Sequence, residues 1–230
     1  MLSGLGTHGP QVSSLGLLAI NSILFASAIW LLMRPNNHQK GWLWSLFLLA
    51  IIASGSRILL SGLPNIMPVT ILVIMVGSKY GLQRSIAFVI LVTVSSNAVL
   101  GDGWWTLFQV LAWSSVAGVS AVFSVHDNQG NLSMKRLSFA AVWSVPLFSM
   151  IVSLSILDGS MSSLEFILYL FNGIPFDALH MMGNIFFAVW CGVWFERILS
   201  LQAPSQQRIV REDQHVSIVC ASYNGLSLPC

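Results

Sequence analysis

The chain is cut into apolar blocks of about twenty residues, and that block length decides what it can fold into. A helix rises about 1.5 Å per residue, so 17 to 25 apolar residues cross the roughly 30 Å hydrocarbon core of a bilayer. The blocks run over 15–33, 42–60, 66–77, 85–100, 104–124, 137–157 and 176–199, giving seven expected spans. Backbone polar groups inside lipid must be satisfied within the segment, so spans of this kind are helices. The expected fold is therefore all-α, a polytopic transmembrane helix bundle. Composition agrees: 55% of the 230 residues are hydrophobic and 8% charged, against about a quarter charged in a soluble domain.

The formal net charge of +2 is too small to imply a nucleic-acid partner, and its distribution carries more. Arg34 and Lys40 follow the first span, Lys79 and Arg84 the third, Lys135 and Arg136 the fifth, and Arg197, Arg208 and Arg211 the last. The alternate connections hold Asn65, Asp102, Asp158 and Glu165 instead. The positive-inside rule then puts the N-terminus outside and the C-terminus in the cytoplasm of a multi-pass plasma-membrane protein, with Arg57 as the exception. Ala26-Ser27-Ala28 mimics a leader cleavage site, but no Lys or Arg precedes it and the apolar run continues to Met33, so a retained helix is expected. The expected organisation is an N-terminal helix and loop over 1–40, a membrane core over 41–200 and a polar cytoplasmic tail over 201–230. Cys191, Cys220 and Cys230 have no metal or disulfide spacing.

With that topology the intramembrane polar residues fall at one depth. Arg57 lies near the outer end of its helix, Asn65 in the turn "LPNIMP" and Thr70 a turn below. Pro64 and Pro68 stop the preceding helix from continuing. Asn97 is four residues from Thr93 near the outer end of the next span, and Trp105, Gln109 and Trp113 form a stripe spaced by four below the Asp102-Gly103 turn. Asn172-Gly173-Ile174-Pro175 is expected to break the backbone, making 162–171 a short interfacial or re-entrant helix and Pro175 a first-turn residue. Asp177, His180 and Asn184 then share one face. Intramembrane ionisable groups usually face a partner or a watery cavity, so an outward-open cavity is expected. The plain readings stand beside it: Trp104 and Trp105 as interfacial belt residues, Asn97, Gln109 and Asn184 as interhelical hydrogen-bond glue, His180 as a satisfied core histidine, and Arg57 with Asp177 as a structural ion pair.

The chain contains no G-x-x-x-x-G-K-[ST] phosphate loop and no H-E-x-x-H, so it offers no ATP site of that type, no metal site and no resident cofactor. An intramembrane serine protease built on Ser120, His180 and Asn184 is disfavoured by depth, because Ser120 falls near the inner end of its helix. A proton-coupled secondary transporter would usually have midplane acids and two related halves. Here Asp177 is the only acid in the outer half of a span, Glu196 falls near an inner end, and no repeat is visible.

Three stretches, "SRILLSGLPNIMPVTILVIMVGSKYG", "TVSSNAVLGDGWWTLFQVLAW" and "GIPFDALHMMGN", resemble the substrate-capturing S component of energy-coupling factor (ECF) transporters, in particular the subgroup that includes cobalamin transporters. The similarity covers about Trp42 to Leu199. It implies a six-helix core, with the 15–33 helix as an addition, that binds a vitamin-like micronutrient and docks on a transmembrane T component driven by two cytoplasmic ATPases. It also implies that this chain is not itself an enzyme. Arg57, Asn65, Thr70, Asn97, Trp105, Gln109, Trp113, Asp177, His180 and Asn184 would then contact the substrate, with cobalamin the first candidate. Where S components often dock through Ala-x-x-x-Ala, this chain has Ala50-x-x-x-Ser54, and where relatives show Gly-Pro-Trp-Thr it has Gly103-Trp104-Trp105-Thr106.

Overall fold

Seven α-helices account for almost all of the chain that the computed structural model describes, namely residues 12–34, 41–127, 129–157 and 161–201. They are α1 (Ser14–Met33), α2 (Trp42–Leu59), α3 (Val69–Tyr80), α4 (Leu82–Leu100), α5 (Trp105–Val122), α6 (Met134–Ser153) and α7 (Ser163–Leu199). All but α3 are long and apolar enough to cross a membrane. The protein is an all-α polytopic membrane helix bundle.

The expected crossing over 66–77 keeps its twelve residues but starts and ends three residues later. Pro64 and Pro68 keep the chain irregular from Leu60 onward, with Asn65 in the left-handed region at φ 58°, and the helix begins only at Val69. It stops at Gly81, φ 79°, which starts α4 at once. Twelve residues span about 18 Å at roughly 1.5 Å each, well short of a bilayer core. This short helix is the centre of the bundle: it packs on α2, α4, α5, α6 and α7, and Val69 through Gly77 are buried without a break. At Gly77 the backbones of α3 and α5 meet so closely that a Cβ would lie 2.7 Å from the Ala117 carbonyl oxygen.

The expected break at 172–175 is absent. Residues Ser163–Leu199 form one helix with Pro175 inside it, so 162–171 is its first part rather than a separate re-entrant segment. Proline there removes one backbone donor but leaves the rest of the ladder. A capping box starts the helix firmly: Ser162 Oγ accepts from Glu165 N at 3.3 Å, and Ser162 N donates to Glu165 Oε2 at 2.8 Å.

One end of the bundle gathers the basic residues. Lys79 of α3 pairs with Glu196 of α7, whose other oxygen lies 3.1 Å from His126 Nε2. The Tyr80 hydroxyl donates to the Leu199 carbonyl at 2.6 Å, and Ser45 Oγ donates to the Leu201 carbonyl at 3.1 Å. The opposite end carries Asn65 and the Asp102 turn. Among the described helices α1 packs only on α4, with Ala28 its one buried residue, and Asn21 donates to Asp102. The tail over 202–230, with Arg208, Arg211, Cys220 and Cys230, and the residues Lys40 and Asp158 lie outside the described residues.

Gly77→Ala should destabilise the purified protein by about 1–3 kcal/mol, because the new methyl meets backbone that cannot swing aside. Gly55→Ala, where a Cβ meets nothing within 4 Å, should be neutral or stabilising. Thermal unfolding in detergent, compared for both variants, checks the pair.

Candidate functional site

Thr70, in the first turn of α3, sits beneath the irregular 60–68 segment, and its buried hydroxyl meets side chains from two other helices. Thr70 Oγ1 lies 3.0 Å from His180 Nε2 on α7 and accepts from Trp113 Nε1 on α5 at 3.3 Å. A hydroxyl that accepts from Trp113 keeps its own proton to donate to the His180 nitrogen, an assignment that satisfies all three groups. Phe148 of α6 closes the group, its ring 4.8 Å from that of Trp113 and 5.4 Å, edge-on, from that of His180.

Arg57 stands behind this wall. Its guanidinium lies 5.1 Å from the Trp113 ring centroid and donates from Nη1 to Ser96 Oγ. No ion pair joins it to Asp177; among the described residues the ion pairs are Lys79 and His126 with Glu196. The Arg57 Nε has no partner among the described residues although it is buried.

A second polar nest ties α4 to α5 and α1. Asn97 Nδ2 donates to Thr106 Oγ1 and to Gln109 Oε1, both at 2.9 Å. Thr106 Oγ1 donates to Asp102 Oδ1 at 2.6 Å, which also accepts from Gly103 N at 2.8 Å. Asp102 Oδ2 takes the Asn21 donor, so this carboxylate binds the start of α5 and anchors α1. The Trp105 ring folds over Gly103 and fills the space that a Cβ would need there. Asn184 lies a turn beyond His180, donating to the Ala141 carbonyl at 3.1 Å, so it joins α7 to α6.

Between α6, the first half of α7 and the Asn65 turn there is a cavity of about 360 Å³. Its polar and aromatic walls include Asn65, Phe148, Tyr169, Asn172, Asp177 and His180. Asn65 Nδ2 reaches the Phe176 carbonyl at 3.5 Å and holds the turn against α7. Among the described residues Asp177 is the only formally charged side chain on the lining. Of the ten residues expected at a site, Asn65, Asp177 and His180 line this cavity. Thr70, Trp113 and Arg57 form a layer behind it through the contacts above. Asn97, Gln109 and Trp105 belong to the Asp102 nest, and Asn184 to the α6–α7 seam.

Sequence reasoning missed Phe148, Ser149, Tyr169 and Asn172. Tyr169, Asn172, Phe176 and His180 form a stripe spaced by three and four, visible only once the helix is carried through Pro175. Ser54, expected on a docking face with Ala50, shares an exposed hydrogen bond with Ser95 of α4 at 2.8 Å, and Ala50 is partly buried against the core. Ser120 is buried near the far end of α5, two turns from Trp113 toward the basic end, while His180 is engaged with Thr70.

Thr70→Val should cost about 1–3 kcal/mol of stability, because it leaves the Trp113 N–H and a His180 nitrogen buried without their partner. The Trp113 emission should shift as well, and its spectrum alongside chemical unfolding checks both effects. No protein-family model, no curated protein and no solved structure matches the chain.

Proposed function

We propose that the protein is the substrate-binding S component of an ECF-type importer, capturing a vitamin-like micronutrient from outside. It would hand that cargo to a T component powered by two ATPase subunits. The observation that carries this reading is the cavity at the Asp102 end, which sits over a sealed core: polar and aromatic groups line it, while the helix beneath it, α3, is apolar and buried from Val69 to Gly77 apart from Thr70. A bundle of that form suits binding from one side. Two of the three stretches that resemble S components line this cavity, through Asn65, Asp177 and His180, and Thr70 and Trp113 back it through their contacts with His180 and each other. The positive-inside rule supports the orientation, with the cavity outside and the Lys79, Arg84 and Arg136 end in the cytoplasm.

The lining favours a compact ring-bearing ligand. Ligand pockets usually span about 300 to 1,000 Å³, and about 360 Å³ lies at the small end of that range. Phe148 and Tyr169 provide apolar faces, and Asp177 favours a cationic or N–H-bearing group. Cobalamin, the first candidate by resemblance, would need Trp113 and Phe148 to part. Docking on the T component fits α2, whose Trp44, Phe47 and Ile51 form an exposed apolar stripe beside Ala50.

Asp177 also favours a second reading, proton-coupled secondary transport, since an acid in a cavity can carry a proton as well as contact a ligand. Native mass spectrometry of the detergent-purified chain, expressed in rich medium, should reveal a co-purified micronutrient. Asp177→Asn and His180→Ala should each reduce its occupancy by at least about ten-fold, the loss expected for a charged or buried hydrogen bond, without changing membrane insertion. Uptake by liposomes holding this chain alone under a pH gradient would overturn the importer reading in favour of the second. Uptake only with the T component and ATP would support it.

A further inference from the structure

At the basic end, α5, α6 and the segment joining them enclose a second, larger hollow of about 740 Å³ on the side of the bundle. Its walls are apolar: Val119, Val122 and Phe123 from the end of α5, and Phe139, Ala140 and Trp143 from α6. Val122, Phe123 and Phe139 are 75%, 73% and 73% exposed, so no helix among the described residues covers them. Lys135 and Arg136, in the first turn of α6, stand at one end of the hollow, and Trp143 lies about 12 Å further along the helix at roughly 1.5 Å per residue.

The two cations are available to a ligand. Arg136 spends one N–H on the His126 carbonyl at 2.6 Å, which aims the guanidinium without neutralising it. No carboxylate among the described residues lines the hollow. Asp127, the acid of the adjoining loop, accepts from Asn131 N at 2.8 Å and Gln129 N at 2.9 Å, which holds it in its own turn, where its charge acts on Arg136 from a distance without forming an ion pair.

We infer that this hollow binds one anionic phospholipid, with its headgroup phosphate on Lys135 and Arg136 and an acyl chain between Val122, Phe139 and Trp143. Charge complementarity selects the occupant. A double cation at the membrane surface above an apolar trough that runs toward the midplane matches an anionic headgroup joined to a hydrocarbon tail. A second protein helix would leave the two charges uncompensated or would need its own acids there. The site lies at the opposite end of the bundle from the Asp177 cavity and does not depend on what that cavity binds.

The test uses the full chain in mixed micelles holding equal amounts of phosphatidylglycerol and phosphatidylcholine, with bound lipid read by native mass spectrometry. The first retained lipid should be phosphatidylglycerol by roughly ten- to thirty-fold, the preference expected of two basic groups near the surface. The double variant Lys135→Gln with Arg136→Gln should bring that ratio to within about two-fold of unity. Val122→Trp, which fills the trough at an exposed position and keeps both charges, should remove the retained lipid. Arg197→Gln, a basic-end residue outside the hollow, should leave it in place. Equal retention of the two lipids by the unaltered chain, a ratio that survives loss of both cations, or a lipid that survives Val122→Trp would overturn the assignment. So would a dimer of the chain that Val122→Trp dissociates.

Discussion

The organisation of this bundle depends on a mismatch of length at its centre. Helix α3 is apolar and buried on all sides, but its twelve residues reach only about 18 Å of the roughly 30 Å that a crossing requires. The shortfall has to appear at one end. At the basic end the register is fixed, because Lys79 is held by Glu196, Tyr80 by the Leu199 carbonyl, and α4 starts directly after Gly81. The missing length therefore appears at the Asp102 end, where the proline-punctuated 60–68 segment dips to meet Val69. Thr70 lies beneath that depression, which is why one hydroxyl becomes the meeting point of α3, α5 and α7.

Apolar block length made most of the fold legible. The expected 15–33, 42–60, 85–100, 104–124 and 137–157 become α1, α2, α4, α5 and α6 with ends shifted by four residues or fewer. Two elements were not legible, for related reasons. The run that forms α3 is placed three residues early because Ile66 and Met67 are apolar, whereas Pro68 and the left-handed Asn65 exclude them from the helix. For α7 the proline had the opposite effect: Asn172 to Pro175 has the composition of a turn, but the helix already started by Ser162 and Glu165 runs through it. Local residue preference decided the first case and lost to cooperative helix extension in the second.

Depth was readable in the candidate site, and partners were not. Asn97 and Gln109 fall at the level of Thr70 and His180, but four-residue spacing says which face a residue occupies and not which neighbour meets it. Asn97 turns to Thr106 and Gln109, fastening α4 to α5, and Asp102 extends that fastening to α1. The result is a division of labour between two polar groups at one level. The nest around Asp102 holds a loosely packed peripheral helix in place, and the group around Thr70 backs a cavity.

The unbroken α7 has a consequence for the membrane around it. At roughly 1.5 Å per residue its 37 residues extend about 55 Å, far more than a bilayer core is thick. Its first half shows lipid-suited Leu164, Leu168, Phe171 and Ile174 outward, while Tyr169 and Asp177 face the cavity. Burying that outer stripe requires the helix to tilt or the surrounding leaflet to thicken. The wall that carries Tyr169, Asp177 and His180 thus rests on acyl chains, and the width of the cavity becomes a function of the thickness of the bilayer that holds it.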